Sequence, residues 1–168
     1  MVWLEFAVIF ILILLNGFFA LAEMAIVSSR RVKLQRAAEL GGAGAKMALE
    51  LKRDPGRFLS TIQIGVTVIG VVTSALGGAT VADAIAQRFP SLGPQARPLS
   101  LVLVVAAISY LTLILGELVP KRIALNRPEA LARRLGPLLS VLTRLAAPLV
   151  WFLSASSNLV LRVLPRAQ

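Results

Sequence analysis

Three long apolar runs, separated by shorter and more polar stretches, set the pattern of this chain. The first extends from about Val2 to Val27 and carries charge only at Glu5 and Glu23. At ~1.5 Å of rise per residue it is long enough to cross a hydrocarbon core of about 30 Å. It lacks a basic leader and ends in Arg30-Arg31, so it reads as a span and not as a secretory signal. The second run, Phe58 to Leu76, has no charge but holds Ser60, Thr61, Gln63, Thr67, Thr73 and Ser74, with Gly65 and Gly70. The third, Ser100 to Pro120, closes on Lys121-Arg122. The pattern predicts spans at about 2–27, 57–77 and 99–120, hence an all-α integral membrane protein.

Within those runs the polar residues are not scattered. Asn16, Ala20 and Glu23 fall at i, i+4 and i+7, one stripe of a helix. Such a stripe faces protein, because lipid offers no partner to an amide or a carboxylate. The alternative is that Glu23 lies near the interface and pairs with Arg30 or Arg31. In the second run Gln63, Thr67, Gly70 and Ser74 share a face, with Thr61 and Gly65 on the adjoining strip. That is either a close packing face with interhelical hydrogen bonds or the lining of a cavity.

The intervening segments are shorter and wetter. Ser28 to Arg53 is helix-prone and basic, and the cluster Gly41-Gly42-Ala43-Gly44 divides it into two short helices. Asp54-Pro55-Gly56 is a turn placed to start the next helix. Ala79 to Phe89 reads as a mildly amphipathic segment and Pro90 to Pro98 as an outside loop. Beyond Ala124 a short basic stretch leads into Gly136 to Leu164, which is apolar enough to resemble a fourth span. Arg144 and Pro148 inside it, and Arg162 and Arg166 at its end, favour instead a helix or helix pair along the inner leaflet.

Charge fixes an orientation. Of the 18 Lys and Arg, eight lie between Arg30 and Arg57 and eight between Lys121 and Arg166, leaving Arg88 and Arg97 for the segment between. This is the positive-inside distribution, with the N-terminus outside and the C-terminus cytoplasmic, in a plasma (inner) membrane. The same sorting argues against a nucleic-acid partner despite the net charge of +10, since nucleic-acid binders gather their cations on one soluble patch. A hydrophobic content of 57% and only 15% charged residues agree.

The candidate chemistry centres on Glu117. A charge at the bilayer centre costs about 2.5–3.5 kcal/mol on insertion scales, so it needs a partner, a cavity or an ion. Pro120 has no N–H and clashes with the carbonyl of Gly116, so the helix is expected to open there. An anion beside freed carbonyls at a helix break can hold a cation. The chain has neither Cys nor His, which leaves oxygen ligands and therefore hard ions such as Mg²⁺, Ca²⁺ or Na⁺. No nucleophile–base pair or phosphate-cradling loop suggests an enzyme.

Three stretches carry a resemblance: Asn16-Gly-Phe-Phe-Ala-Leu-Ala-Glu-Met-Ala25, Asp54-Pro-Gly-Arg-Phe-Leu-Ser-Thr-Ile-Gln-Ile-Gly65 and Gly116-Glu-Leu-Val-Pro-Lys-Arg122. Their order and spacing resemble the transmembrane domain of the CorC/cyclin M magnesium transporters, over essentially the whole chain. The resemblance implies a homodimer of three-span subunits in the membrane lipid, with belts of cytoplasmic-side juxtamembrane helices at about 29–53 and 124–164. It implies export of Mg²⁺ driven by Na⁺ entry. Full-length members continue into an ATP-binding cytosolic regulatory module, so residues 1–168 read as a single membrane domain without it. The family's ion-binding glutamate matches Glu117, next to Gly116. Where some members carry a serine in the first span and asparagines in the second, this chain has Ala20, Val66 and Gly70. Asn16, Thr61, Gln63 and Thr67 are the oxygen donors available to complete the shell. Two other readings are a membrane anchor and dimerisation scaffold for the regulatory module, and a broader divalent-cation (cobalt) efflux role.

Overall fold

The computed structural model describes residues 2–78, 86–87 and 95–163. Among these the chain is all-helical, with three helices long and apolar enough to cross a membrane: Trp3–Ser28, Pro55–Leu76 and Arg97–Asn126. They belong to α1 (Val2–Ser28), α4 (Pro55–Gly78) and a composite third span. That span runs as α5 (Ala96–Leu113), a π-helical segment (Ile114–Leu118) and α6 (Val119–Asn126). Large side chains such as Trp3, Val102 and Tyr110 are exposed on these helices. A soluble protein rarely leaves so much contiguous apolar surface uncovered. Most of the expected segment 79–89 and of the expected loop 90–98 lies outside the described residues. The end of that loop, from Ala96, is already helical.

Each helix boundary has a local cause. Asp54 caps α4, its Oδ1 accepting the Arg57 N–H at 3.2 Å, and Pro55 takes the first helical position, where a missing N–H costs nothing. Between α2 (Arg31–Glu39) and α3 (Ala43–Arg53), Gly41 adopts a φ of 87°. The Gly41 and Gly42 N–H groups donate to the Ala38 and Ala37 carbonyls, the double bond of a Schellman stop. The C-terminal carbonyls of α1 are closed by Lys52 of α3, whose Nζ donates to Ile26 O at 3.1 Å, to Val27 O at 3.0 Å and to Ser29 O. Burial lowers the Lys52 pKa, an effect that the negative charge of Glu129 opposes.

Two further helices, α7 (Pro128–Leu145) and α8 (Ala147–Val163), are bent by 58° at their junction, with Pro148 in the first turn of α8. The apolar stretch after Gly136 is thus a broken helix pair. α7 presses on α3 through glycines: Gly44 lies against the Arg133 carbonyl, and a Cβ on Gly136 would meet Gly44 O at 2.6 Å. Ala22, Ile26, Leu34, Ala48, Phe58 and Leu139 join one buried cluster, tying the ends of α1 and α4 to α2, α3 and α7. Lys33 pairs with Glu129 at 3.4 Å across α2 and α7. Hydrogen bonds from its own N–H, from the Arg30 N–H and from Lys33 hold the Glu129 carboxyl below its usual range, outweighing a larger single upward push from burial.

Candidate cation site

The site is built where the third span departs from α-helical geometry. Pro120 cannot donate to the carbonyl four residues back, and its ring crowds that carbonyl. The ladder responds with a π segment over Ile114–Leu118, where the Val119 N–H reaches Ile114 O, five residues back. Such segments occur mostly as single-turn insertions, frequently at functional sites. The expected opening is therefore a widened turn on the N-terminal side of Pro120, and the helix continues to Asn126 instead of ending at Lys121. The carbonyl of Gly116 finds another donor: Asn16 Nδ2 of α1 at 3.1 Å.

That hydrogen bond needs two backbones to come close, and glycine on both sides allows it. A Cβ on Gly17 would stand 2.7 Å from Leu115 O and 3.0 Å from Pro120 Cγ. A Cβ on Gly116 would stand 3.0 Å from Asn16 Nδ2. α1 thus grips the π segment directly, with Ile9, Ile13 and Val104 as the apolar seam beside it.

Glu117, on this turn, lines a cavity of about 310 Å³ between α1, α4 and α5. Its polar lining is Asn16, Thr73, Ser74, Ser109, Thr112 and Glu117. The carboxylate is 47% exposed, and Oε1 accepts a hydrogen bond from Lys121 Nζ at 2.7 Å, one helical turn on. Among the described residues no three of His, Cys, Asp and Glu gather as a metal cluster. The cavity therefore offers one charge amid neutral oxygens, with a side-chain ammonium as the carboxylate's counter-ion.

Asn16, Gly116 and Glu117 are brought together. The other three expected donors are elsewhere. Thr61 is buried with its hydroxyl donating to Arg57 O at 2.9 Å, inside its own helix. Gln63 lines a second cavity, of about 600 Å³, with Glu23, Ser60, Ser154, Ser157 and Asn158. Thr67 is exposed and lines neither cavity. For Gln63 the reason is axial distance: it is seven residues from Gly70, about 10 Å along α4, so the polar stripe is longer than one site. Thr73, Ser109 and Thr112 were the donors missed. Ser109, Thr112 and Gly116 follow at spacings of three and four, a signal that the strongly apolar composition of α5 conceals. Glu23 forms no ion pair among the described residues, with Arg30, Arg31 or any other cation.

Comparison with known families decides what this geometry belongs to. The model of the cyclin M transmembrane N-terminal domain matches residues 7–167. The chain belongs to that family. A UPF0053 protein of Synechocystis is 49% identical over 163 residues, covering 95% of this chain and 36% of that protein. An uncharacterized protein of Mycobacterium tuberculosis is 38% identical over 151 residues, covering 88% of the chain and 43% of its own length. The polyamine export protein of Escherichia coli K12 is 28% identical over 158 residues, covering 93% of the chain and 35% of its own length. This cyclin M domain spans less than half of the length of each of these relatives. With its three candidate spans it is a multi-pass membrane domain of transporter-like type.

Proposed function

We propose that this cyclin M domain exports Mg²⁺ from the cytoplasm across the plasma membrane by alternating access, coupled to Na⁺ entry, with Glu117 as the central ligand. The observation that carries the proposal is the Glu117 carboxylate on a π segment, at a cavity lined by hydroxyl and amide groups. Mg²⁺ is bound through one or two carboxylates while keeping several waters, and neutral oxygens suit those waters. The donor set of Glu117, Asn16, Thr73, Ser74, Ser109 and Thr112 has that character. Gly116 O accepts from Asn16, which ties the amide at the cavity to the π segment that carries Glu117.

Lys121 gives the Glu117 carboxylate a counter-ion of its own. A half-exposed ion pair is worth about 0.2–1 kcal/mol, so a divalent cation displaces the ammonium at small cost. On release, Lys121 returns and neutralises the carboxylate, which keeps an unpaired charge out of the apolar surroundings. The positive-inside sorting of Lys and Arg supports an orientation with the N-terminus outside and the C-terminus in the cytoplasm. A homodimer, and a cytosolic ATP-binding regulatory module in the complete protein, are parts of the same proposal.

A second reading is that the cargo is a polyamine. Relatives in Escherichia coli and Haemophilus influenzae are named polyamine export proteins. The Lys121 ammonium at 2.7 Å from Glu117 shows the contact that a terminal alkylammonium would make. Efflux from loaded vesicles separates the readings. Mg²⁺ release abolished by Glu117→Gln supports the first; spermidine release without Mg²⁺ release replaces it with the second; Co²⁺ release alongside Mg²⁺ widens it. Release of none by the intact, folded protein leaves the anchor and scaffold reading.

A further inference from the structure

Two cavities open along one side of α1. Asn16 stands at the smaller and Glu23 at the larger, and a spacing of seven residues places both on one helical stripe, about 10 Å apart along the axis. α4 repeats the arrangement with Gly70 at the smaller cavity and Gln63 at the larger, again seven residues apart. The third span closes the first cavity and α8 the second.

The larger cavity has its own chemistry. It measures about 600 Å³ and is lined by Glu23, Ser60, Gln63, Ser154, Ser157 and Asn158. Two helices, α4 and α8, therefore bring neutral oxygens to a cavity in which α1 places one carboxylate. Glu23 makes no hydrogen bond or ion pair among the described residues, whereas Glu117 holds Lys121. The cation of the adjoining α3 that reaches α1, Lys52, is engaged with the terminal carbonyls of that helix. An ionisable residue within a span, unpaired and facing a polar cavity, is placed to meet a mobile cation.

We propose that the Glu23 cavity is a second cation site, one that takes a divalent cation with its water shell retained. At about 30 Å³ per water, the cavity holds an octahedral hydrate with further solvent around it. Its amides and hydroxyls are suited to hydrogen-bond that shell, and Glu23 supplies the attracting charge from outside it. Glu23 lies five residues from the end of α1, on the side of the basic belt, so the cavity is a vestibule between the belt and Glu117. As a binding site it stands on its own geometry; as a waystation it rests on Glu117 carrying the transported ion.

Equilibrium Mg²⁺ titration of the chain in detergent micelles tests it, with Mn²⁺ as a paramagnetic probe read by electron spin resonance. The wild-type chain is expected to bind at two sites per subunit. Glu23→Gln is expected to weaken one by tenfold or more and leave the other unchanged. Glu117→Gln is expected to do the reverse. Helical circular dichroism and the thermal midpoint establish folding. If Glu23→Gln does not fold, Ser157→Trp fills the same cavity from α8 and is expected to remove the same site. Two undiminished sites in folded Glu23→Gln or folded Ser157→Trp would overturn the proposal. Two undiminished sites in Glu117→Gln would instead overturn the role of Glu117 and leave the Glu23 site standing.

Discussion

Gly17→Ala adds one methyl group where α1 crosses the π segment. Its Cβ would begin 2.7 Å from Leu115 O and 3.0 Å from Pro120 Cγ, whereas ordinary contact starts at 3.4 Å. The first obstacle is a backbone carbonyl and the second a proline ring, and neither can rotate aside. α1 and the third span must therefore separate, and Asn16 Nδ2, already at 3.1 Å from Gly116 O, moves away with α1. Overpacking of this kind costs about 1–3 kcal/mol. A displacement near 1 Å in a site that depends on geometry can cost on the order of 10²-fold in rate. The assay pairs a thermal midpoint in detergent with Mg²⁺ efflux from loaded vesicles. The midpoint is expected to fall and efflux to drop by tenfold or more. Gly56→Ala is the control, because the nearest atom to its Cβ is Asp54 Oδ1 at 4.0 Å, and alanine is the better helix former. Wild-type stability and efflux in Gly17→Ala would refute the direct grip of α1 on the π segment.

Other perturbations probe other joints of the same structure. Gly136→Ala drives a Cβ to 2.6 Å from Gly44 O, so the α3–α7 contact is expected to loosen by about 1–3 kcal/mol, seen as faster proteolysis of that region. Lys121→Met removes the tethered competitor at Glu117, and apparent Mg²⁺ affinity is expected to tighten by up to about fivefold, the equivalent of about 1 kcal/mol; weaker binding would count against the counter-ion role. Glu129 is held below its ordinary value of 4.5, so its stabilising contribution is complete above that pH and lost as the pH falls through the lowered value. The thermal midpoint is therefore expected to decline below about pH 4.5, less steeply in Glu129→Gln; equal slopes would contradict it.

Much of the architecture was legible in the sequence because the spans are marked by length and by the sorting of Lys and Arg, both properties of local segments. The Gly41-Gly42 stop and the Asp54-Pro55 start were legible for the same reason. Glu117 stood out because a single carboxylate in an apolar run has few explanations. Its surroundings were harder to read. Gln63 and Ser74 occupy one face of α4, and nothing in their spacing says that the stripe serves two cavities, one closed by α5 and the other by α8. Thr61 looked like a donor from composition, yet its hydroxyl bonds its own helix. The hydroxyls of Ser109 and Thr112 matter only because α5 meets α4 across a gap, which is a tertiary fact. The π segment illustrates both sides: Pro120 foretold a break, but not that the ladder would widen by one residue and continue.

The Glu117 carboxylate is the point on which the transport proposal depends. The most direct measurement is Mg²⁺ efflux from vesicles loaded with the ion, an inward Na⁺ gradient being imposed across vesicles that hold either the complete wild-type protein or Glu117→Gln. Glutamine keeps the size and removes the charge. The wild type is expected to release Mg²⁺ in proportion to the gradient, and the folded variant to fall to the leak of protein-free vesicles. Wild-type efflux from folded Glu117→Gln would contradict the proposal.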